Sequence, residues 1–597
     1  MCIINLYTME RYEMYELFVK KIMELYSIIL QPIDNIYKKI AIINYKKIFN
    51  MGNDVTFGKF YYRLLKGNKN MGIVYTPEEI ARYIIENTVK IDDLIDNPYI
   101  KIVDPACGCG NIIIPLFKHL YKMYMENMET INNKNKILLN KDNVKEHIIK
   151  NNIYGIDIAS IATKILSIDL FQISGVVCSE NILNMDFLMD EIHDKFNIFL
   201  GNPPYIGHKT IEKDYSKQIK EKYREVYKDK GDLSYCFFKG AIVNSEPKFK
   251  VSFITSRYFM ESQSGENLRK FIVDNFNVVE IVDFYGIRPF KGTGIDPVIL
   301  FLKDKSSNGA EKVKVIKPMD KSKEDKKAFV NSFFLKKGNL YNSYFVDSKE
   351  LGEKRWILRE EKELNIFRKI QEKSTFKLKD ICESYQGIIT GCDKAFIVTH
   401  EDIVKEQLEE SIIKPWIKSS FIEKNCVKTL DKFIIYSNDI EDISNYPNIN
   451  NHLMPYKKKL MNRRECIKGI RKWYELQWGR NSDIFKREKI IFPYKSKDNR
   501  FALDKGSYFS ADIYSIVLKE NSDFNYNFLL FLLNSKIYEF YFHSFAKKLG
   551  EDLYEYYPNT LMDMMIPKKF STKNYDENCL YEYFNFTEEE VNIIKNK

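Results

Sequence analysis

The feature that most constrains this chain is a short apolar run, Phe196, Ile198, Phe199 and Leu200, that empties into Gly201-Asn202-Pro203-Pro204-Tyr205. It reads as a buried strand delivering a rigid polar tip. Consecutive prolines have fixed φ and no amide N–H, so the carbonyls of this turn lack helix or ladder partners and can face a ligand. The side-chain carbonyl of Asn202 is a second acceptor beside them. Together they can hold both N–H bonds of a planar exocyclic amine, such as the N6 amino group of adenine. That favours a pyramidal nitrogen whose lone pair attacks a methyl donor. Tyr205 offers a face on which an extruded base can stack. The plain structural alternative is a strand followed by a Pro-Pro turn, because Asn-Pro pairs are common turn formers.

The residues upstream favour the chemical reading. Ile100-Lys101-Ile102-Val103 reads as a strand running into Asp104-Pro105-Ala106-Cys107-Gly108-Cys109-Gly110-Asn111 and an apolar helix. Strand, glycine turn and helix are the first unit of a doubly wound α/β sheet, whose ligands sit at the carboxyl ends of the strands. The third glycine of the dinucleotide fingerprint is missing, and a carboxylate at Asp104 would repel a pyrophosphate. A cationic ligand, such as S-adenosylmethionine, suits it. A second strand, residues 153–156, ends in Asp157, where ribose-binding acids stand. Asn184-Met185-Asp186-Phe187 forms another acidic strand-end turn, suited to an adenine amino group with Phe187 packed on the ring. Each acid alone is an ordinary turn residue or N-cap. Three acid-tipped strand ends followed by Asn-Pro-Pro-Tyr match one cofactor pocket beside one base pocket.

Farther upstream, Gly72-Ile73-Val74-Tyr75-Thr76-Pro77 opens a helix, with Thr76 able to cap and Glu78 and Glu79 at the positive end of the dipole. By itself it is a well-made helix start. Apolar runs at 251–254, 278–284 and 297–302 continue the sheet. The Lys-, Glu- and Tyr-dense stretch 207–232 is either a loop and helix over the substrate or a solvated surface helix.

At 597 residues the chain is too long for one ordinary core. The net charge of +10 is concentrated: residues 456–500 hold 15 Lys and Arg against 5 Asp and Glu, an excess equal to that of the whole protein. There Arg463, Arg464, Arg471, Lys472, Gln477, Arg480, Lys495 and Arg500 lie among Trp473, Tyr474, Trp478 and Tyr494. Lys and Arg suit phosphates, and Arg and Gln can read guanine and adenine edges. The competing reading of any one of them is a solvated face or core residue. The ten cysteines are scattered apart from Cys107 and Cys109, which is neither a disulfide framework nor a metal site. The first turns lack a signal layout, and the apolar run 524–545, interrupted by Asn534, Lys536 and Glu539, reads as a core helix. A reduced, cytoplasmic, DNA-associated protein with no membrane contact is expected.

Residues 1–70 carry Tyr15, Phe18, Ile22, Leu25 and Ile29 at helical spacing and form a helical extension of unassigned role; Met51 is an alternative start. Residues 71–316 form the cofactor and catalytic domain. Residues 317–375 hold an exposed linker, with Lys321, Lys323, Glu324, Asp325, Lys326 and Lys327, and a connecting helix over 356–373. Residues 376–597 form the recognition domain.

In order, Gly-Ile-Val-Tyr-Thr-Pro77, Asp104-Pro-Ala-Cys-Gly-Cys-Gly, Asp157, Asp186 and Asn202-Pro-Pro-Tyr resemble the gamma-class N6-adenine DNA methyltransferases over residues 71–305. Ser384-Tyr-Gln-Gly-Ile-Ile-Thr-Gly-Cys-Asp-Lys-Ala-Phe396 and Leu533-Asn-Ser-Lys536 resemble elements of the target-recognition domain of type IIG-like enzymes. Gly201-Asn-Pro-Pro-Tyr-Ile-Gly-His-Lys209, Asn462-Arg-Arg-Glu-Cys466 and Gly469-Ile-Arg-Lys-Trp-Tyr-Glu-Leu-Gln-Trp-Gly-Arg480 resemble the clostridial sporulation-linked orphan methyltransferases of the CamA type, from which the long N-terminal extension departs.

The resemblance implies a Rossmann-like doubly wound methyltransferase sheet followed by a mixed α/β target-recognition domain. It implies S-adenosylmethionine held by Tyr75, Thr76, Pro77, Asp104, Cys107, Gly108, Gly110, Asp157, Asp186 and Phe187. The target adenine would be held by Asn202, Pro203, Pro204 and Tyr205 in an asymmetric, adenine-rich site of double-stranded DNA. Methylation of RNA or of a protein glutamine, and a catalytically silent DNA-binding protein, are the alternatives. Intact acids and an intact tip speak against silence, and the recognition half favours DNA. About 70 residues before the first motif leave little room for a nuclease, and no Asp…Glu-x-Lys cluster is found there. A monomer with no obligate protein partner is expected.

Overall fold

A computed structural model describes residues 2–65, 75–207, 210–228, 231–290, 294–307, 309, 311–319, 341–428, 431–520, 522–550, 552–568 and 575–596, with side chains from residue 13 onward. The chain divides into two compact units, Met1–Leu358 and Arg359–Lys597.

The first unit is built on a nine-stranded sheet: β1 (Ile102–Asp104), β2 (Ile153–Asp157), β3 (Ile182–Asn184), β4 (Phe196–Gly201), β5 (Ser245–Ser256), β6 (Phe276–Asp283), β7 (Pro297–Asp304), β8 (Lys312–Pro318) and β9 (Tyr341–Asp347). Their spatial order is β3-β2-β1-β4-β5-β7-β6-β8-β9. The first five in that order run parallel, and β7 enters antiparallel to both of its neighbours. Alternation along β4 explains why a continuous apolar run was needed. Phe199 faces one buried core with Val251 and Phe253, while Ile198 and Leu200 face another with Ile102 and Ile254. Strands covered on both faces read as unbroken hydrophobic sequence.

Chain direction through the sheet reverses between β1 and β4, which pair with Ile102 opposite Ile198 and Val103 opposite Phe199. Open parallel sheets bind ligands at such a switch point, outside the carboxyl ends of the strands. The expected doubly wound sheet is present.

Helices α1 (Cys2–Leu30), α2 (Asn35–Ile48) and α3 (Phe57–Leu65) precede it, and α4 (Glu78–Thr88), α5 (Ile113–Asn135) and α6 (Ser160–Ser174) pack around its first strands. Phe18, Ile22, Leu25 and Ile29, one stripe of α1, are buried in a core shared with Ile165, Ile168 and Phe171 of α6. The extension is therefore part of the first unit's packing.

The expected linker needs correction. β8 and β9 pair from Lys312–Asp347 through Pro318–Tyr341, so the sheet continues past residue 316. The charged run from Lys321 to Lys327 lies outside the described residues. The expected connecting helix covers only Glu361–Glu372, and Trp356 is buried in the first unit's core.

The second unit is mixed α/β. One four-stranded sheet joins Cys382–Gln386, Ile513–Leu518, Lys489–Pro493 and Ala502–Asp504, and another joins Ile397–Thr399, Lys432–Ile435, Ile413–Ile417 and Tyr508–Phe509. The apolar run expected as one core helix is two, Tyr526–Asn534 and Lys536–Phe545, because Ser535 is extended and its side chain accepts the N–H of Tyr538 as a new N-cap. Among the described residues no helix is long and apolar enough to cross a membrane.

Candidate functional site

The polar ends of β1, β2 and β4 and the turn after β3 lie along one edge of the sheet. Asp104, the last residue of β1, is 2 % exposed, and its Oδ1 accepts the N–H of Ala106 at 3.1 Å. Burial, with Asp157 adding like charge, pushes its carboxyl up to about 8. The β1 loop needs its glycines. Gly108 and Gly110 have φ of 49° and 85°, and a Cβ on Gly110 would lie 2.3 Å from Leu166 Cδ1. Gly108 donates its N–H to Asp157 Oδ2 at 2.8 Å, and Ala159 donates to Asp157 Oδ1 at 2.8 Å. Asp157 thereby ties the β1 loop to the end of β2, and each of its oxygens keeps acceptor capacity.

Other expected pocket residues behave differently. Cys107 is buried with its Sγ against Gly155, and its N–H is donated to Ile156 O at 3.0 Å, so its side chain packs the sheet. Phe187 needs the same correction. Its ring is 4 % exposed, stacks on Phe237 at 5.4 Å and presses on Gly240, so it supports its loop from behind. Asp186 Oδ1 accepts the N–H of Leu188 at 2.9 Å, and Oδ2 accepts the Tyr215 hydroxyl at 2.9 Å. Tyr215 lies on the helix Lys213–Lys222, whose next residue, Tyr223, donates to Leu188 O at 2.7 Å. The stretch after the Asn202–Tyr205 turn is thus fastened to the Asp186 turn, and Oδ2 keeps one acceptor direction.

At the end of β4, a Cβ on Gly201 would lie 3.2 Å from Asp104 Oδ1, so the two strand ends approach closely. Asn202 follows. Its Nδ2 donates to the hydroxyl of buried Thr76 at 3.0 Å, and its Oδ1 is buried with no partner among the described residues. The hydroxyl of Tyr205 is likewise buried without a partner among them, and the Tyr205 and Phe290 ring centroids are 6.3 Å apart. Phe290, carried by the segment after β6, is absent from the sequence-derived site. A lone phenylalanine 85 positions from Tyr205 in sequence gives no signal until the sheet is closed. Tyr75 is half-exposed, and Pro77 is the N-cap of α4, in place of the expected cap Thr76.

The arrangement fits S-adenosylmethionine. Asp104 supplies an anionic group suited to its cationic end. Asp157 retains acceptors for ribose hydroxyls. The orphan Asn202 oxygen waits at the neighbouring strand tip.

In the second unit the basic segment separates into two kinds of residue. Arg463 is 9 % exposed and spends its guanidinium on the carbonyls of Leu460, Thr390, Trp473 and Glu475, at 2.8 to 3.1 Å. As a DNA contact Arg463 is therefore corrected to a structural residue. Arg480 donates to Gly387 O and Gln386 Oε1, Arg500 to Ser496 Oγ and Ile422 O, and Gln477 to Glu465 Oε2. Arg471 pairs with Glu475 at 3.8 Å. Arg464, Lys472 and Lys495 are exposed, as are Lys468 and Lys497, which sequence reasoning did not single out; of these Lys472 donates to Glu441 O at 2.8 Å.

Residues 151–290 match the Eco57I restriction-modification methylase model, residues 84–184 the DNA-methyltransferase domain of MmeI, and residues 414–567 the TaqI-like C-terminal specificity domain. The chain is 23 % identical over 521 residues to the type II methyltransferase M.BanIII of Aneurinibacillus aneurinilyticus, covering 81 % of this chain and 87 % of that protein. It is 24 % identical over 389 residues to M.HindII of Haemophilus influenzae, covering 61 % of this chain and 74 % of that protein. Its fold is similar to that of the type IIL restriction-modification enzyme MmeI solved in complex with DNA. The TM-score is 0.60 at 14 % identity, over 88 % of this chain and 73 % of that one. The chain is thus similar to DNA methyltransferases of the type II restriction-modification class, a likeness that implies S-adenosylmethionine as methyl donor, and its C-terminal half is similar to a specificity domain.

Proposed function

We propose that this protein transfers a methyl group from S-adenosylmethionine to the N6 amino group of an adenine in a specific sequence of double-stranded DNA. The observation that carries the reading is the buried Oδ1 of Asn202, without a partner among the described residues and held in place by Thr76. An orphaned buried acceptor costs about 1–3 kcal/mol, so such an atom is expected where a ligand completes it. Adenine offers both hydrogens of an exocyclic N–H₂ group; cytosine carries the same group, and it is the resemblance of Asn202-Pro-Pro-Tyr205 and its upstream motifs to N6-adenine enzymes that favours adenine. Asn202 Oδ1 and the Pro203 carbonyl would accept its two hydrogens. Tyr205, backed by Phe290, would hold the extruded ring.

Bound S-adenosylmethionine supplies an activated methyl group and a neutral thioether as leaving group. Asp104 and Asp157 would hold it, and Asn202 with the Pro203 carbonyl would orient the N6 lone pair toward its methyl group. The proton leaves N6 afterwards, and no general base is needed at the strand tip. Arg464, Lys472 and Lys495 would contact DNA phosphates, which position a protein on its site.

The reading extends to modification without cleavage, in an orphan enzyme of the sporulation-linked clostridial type, on the Asn462–Arg480 stretch noted above. The test is methyl transfer in vitro from labelled S-adenosylmethionine to duplex DNA, followed by nucleoside mass spectrometry. Label in N6-methyladenine supports the proposal. Label in cytosine or in added RNA, or none with DNA, contradicts it.

A further inference from the structure

The N-terminal helices reach the cofactor loop through one polar contact and one aromatic one. Asp169 lies on α6, among the apolar residues Ile165, Ile168 and Phe171 that bury the extension, and is 1 % exposed. Its two oxygens accept the N–H groups of Phe57 and Gly58, each at 2.9 Å, and so fasten the start of α3. A carboxylate in such a place is expensive unless bonded, and a helix N-terminus offers it unpaired donors and a favourable dipole. Gly58 is held so closely that a Cβ there would lie 2.9 Å from Cys109 Cβ. α3 therefore rests directly on the glycine loop.

One turn farther along α3 stands Tyr62. Its hydroxyl lies 2.7 Å from where a Cβ on Gly108 would be, and Cys109 meets it through both backbone and thiol. The Tyr62 ring meets Tyr75 edge-on with centroids 5.4 Å apart, and Lys59 pairs with Glu78 at 3.6 Å. α3 thus touches both segments expected to line the cofactor, 75–77 and 104–110. Tyrosines placed there suit a sulfonium or ammonium, because an aromatic face attracts a cation.

We propose that the N-terminal extension is part of the S-adenosylmethionine site, with Tyr62 as a cofactor-positioning residue at Gly108 and Asp169 as the latch that holds its helix there. This rests on the functional reading above and adds to it a binding role for residues ahead of the first motif. A chain starting at Met51 would retain Tyr62 but lose α1 and α2.

The experiment is calorimetric titration of the full-length protein with S-adenosylmethionine, alongside steady-state kinetics and thermal melting. Tyr62→Ala is expected to weaken binding about tenfold or more, and Asp169→Ala about threefold to tenfold. In both, the KM for cofactor rises while kcat at saturating cofactor and cofactor-free DNA affinity change little; the melting transition holds for Tyr62→Ala and falls for Asp169→Ala, which leaves the N–H groups of Phe57 and Gly58 without their acceptor. Tyr62→Leu, which keeps a larger apolar side chain than alanine while removing the ring and hydroxyl, serves if the alanine variant does not fold, and carries the same expectation. Wild-type affinity in a folded Tyr62→Ala or Tyr62→Leu variant overturns the inference and leaves the functional reading standing. A wild-type protein that binds no S-adenosylmethionine overturns both.

Discussion

The hydroxyl of Thr76 accepts a hydrogen bond from Asn202 Nδ2 at 3.0 Å and so points the amide oxygen of Asn202 away from it, buried and without a partner among the described residues. Thr76 comes from the segment leading into α4 and Asn202 from the tip of β4. One bond between them fixes which end of the amide is offered to a base.

Removing that bond while keeping the shape is the sharpest probe of it. Thr76→Val should lower kcat about 5- to 30-fold, the cost of one to two kcal/mol of lost orientation, with a smaller change in DNA affinity. Asn202→Ala should lower kcat by about 10² or more, because it deletes an acceptor needed as charge develops on N6. Single-turnover kinetics at saturating DNA and cofactor separates these steps from binding.

Asp104 makes cofactor binding depend on pH. Without ligand its buried carboxyl is pushed up to about 8, whereas a cationic ligand favours the carboxylate. Binding below that value should release a proton, and affinity should climb as pH rises from about 6 towards 8 and level off above. Titration in buffers of different ionisation enthalpy measures the proton. Asp104→Asn should bind more weakly and lose the slope.

The same group affects stability with the opposite sense. A carboxyl whose pKa is higher folded than unfolded binds more protons in the native state, so the ligand-free protein should lose stability as pH rises from about 4 to 8. Asp104→Asn and Asp169→Asn should each flatten part of that loss in thermal melts; Asp169 stands at about 7 for the same reason, burial.

On the far side of the same sheet edge, Arg257 Nε meets Asp283 Oδ1 at 2.8 Å, and both residues are almost fully buried. Arg257 and Lys317 hold the Asp283 carboxyl below the usual carboxylate range despite its burial. Asp283→Ala should destabilise the first unit by up to about 3–5 kcal/mol, since it removes one of the two carboxylates that face a buried guanidinium among the described residues and leaves it only Glu261, at 2.9 Å. Urea unfolding followed by near-ultraviolet circular dichroism checks it.

In the second unit, exposed and buried arginines should separate cleanly. Arg464→Ala and Lys495→Ala should each reduce the slope of log affinity against log salt by up to about 0.9, the value for one phosphate contact. Arg463→Ala should lower the melting temperature, since its guanidinium is spent on four main-chain carbonyls. Filter binding across a salt series, with melts of each variant, distinguishes them.

The sheet and the strand-end residues were legible because they are local: an apolar run followed by an acid or by Asn-Pro-Pro-Tyr is visible within ten residues. Contacts between distant segments were not. Asp169 fastens Phe57 and Gly58 from more than a hundred positions away, and Phe290, from the segment after β6, backs Tyr205 across 85 positions. The charge count over 456–500 found a basic surface but could not tell Arg464 from its neighbour Arg463, whose side chain turns inward. Phe187 misled because an aromatic residue beside an acid at a strand end reads equally as a ligand platform or as core.

The most direct test of the central claim is single-molecule sequencing of DNA from a methylation-deficient host expressing either this protein or its Asn202→Ala variant. The account predicts N6-methyladenine at one asymmetric motif with the native protein and none with the variant. A folded, S-adenosylmethionine-binding protein that leaves every adenine unmodified would contradict it.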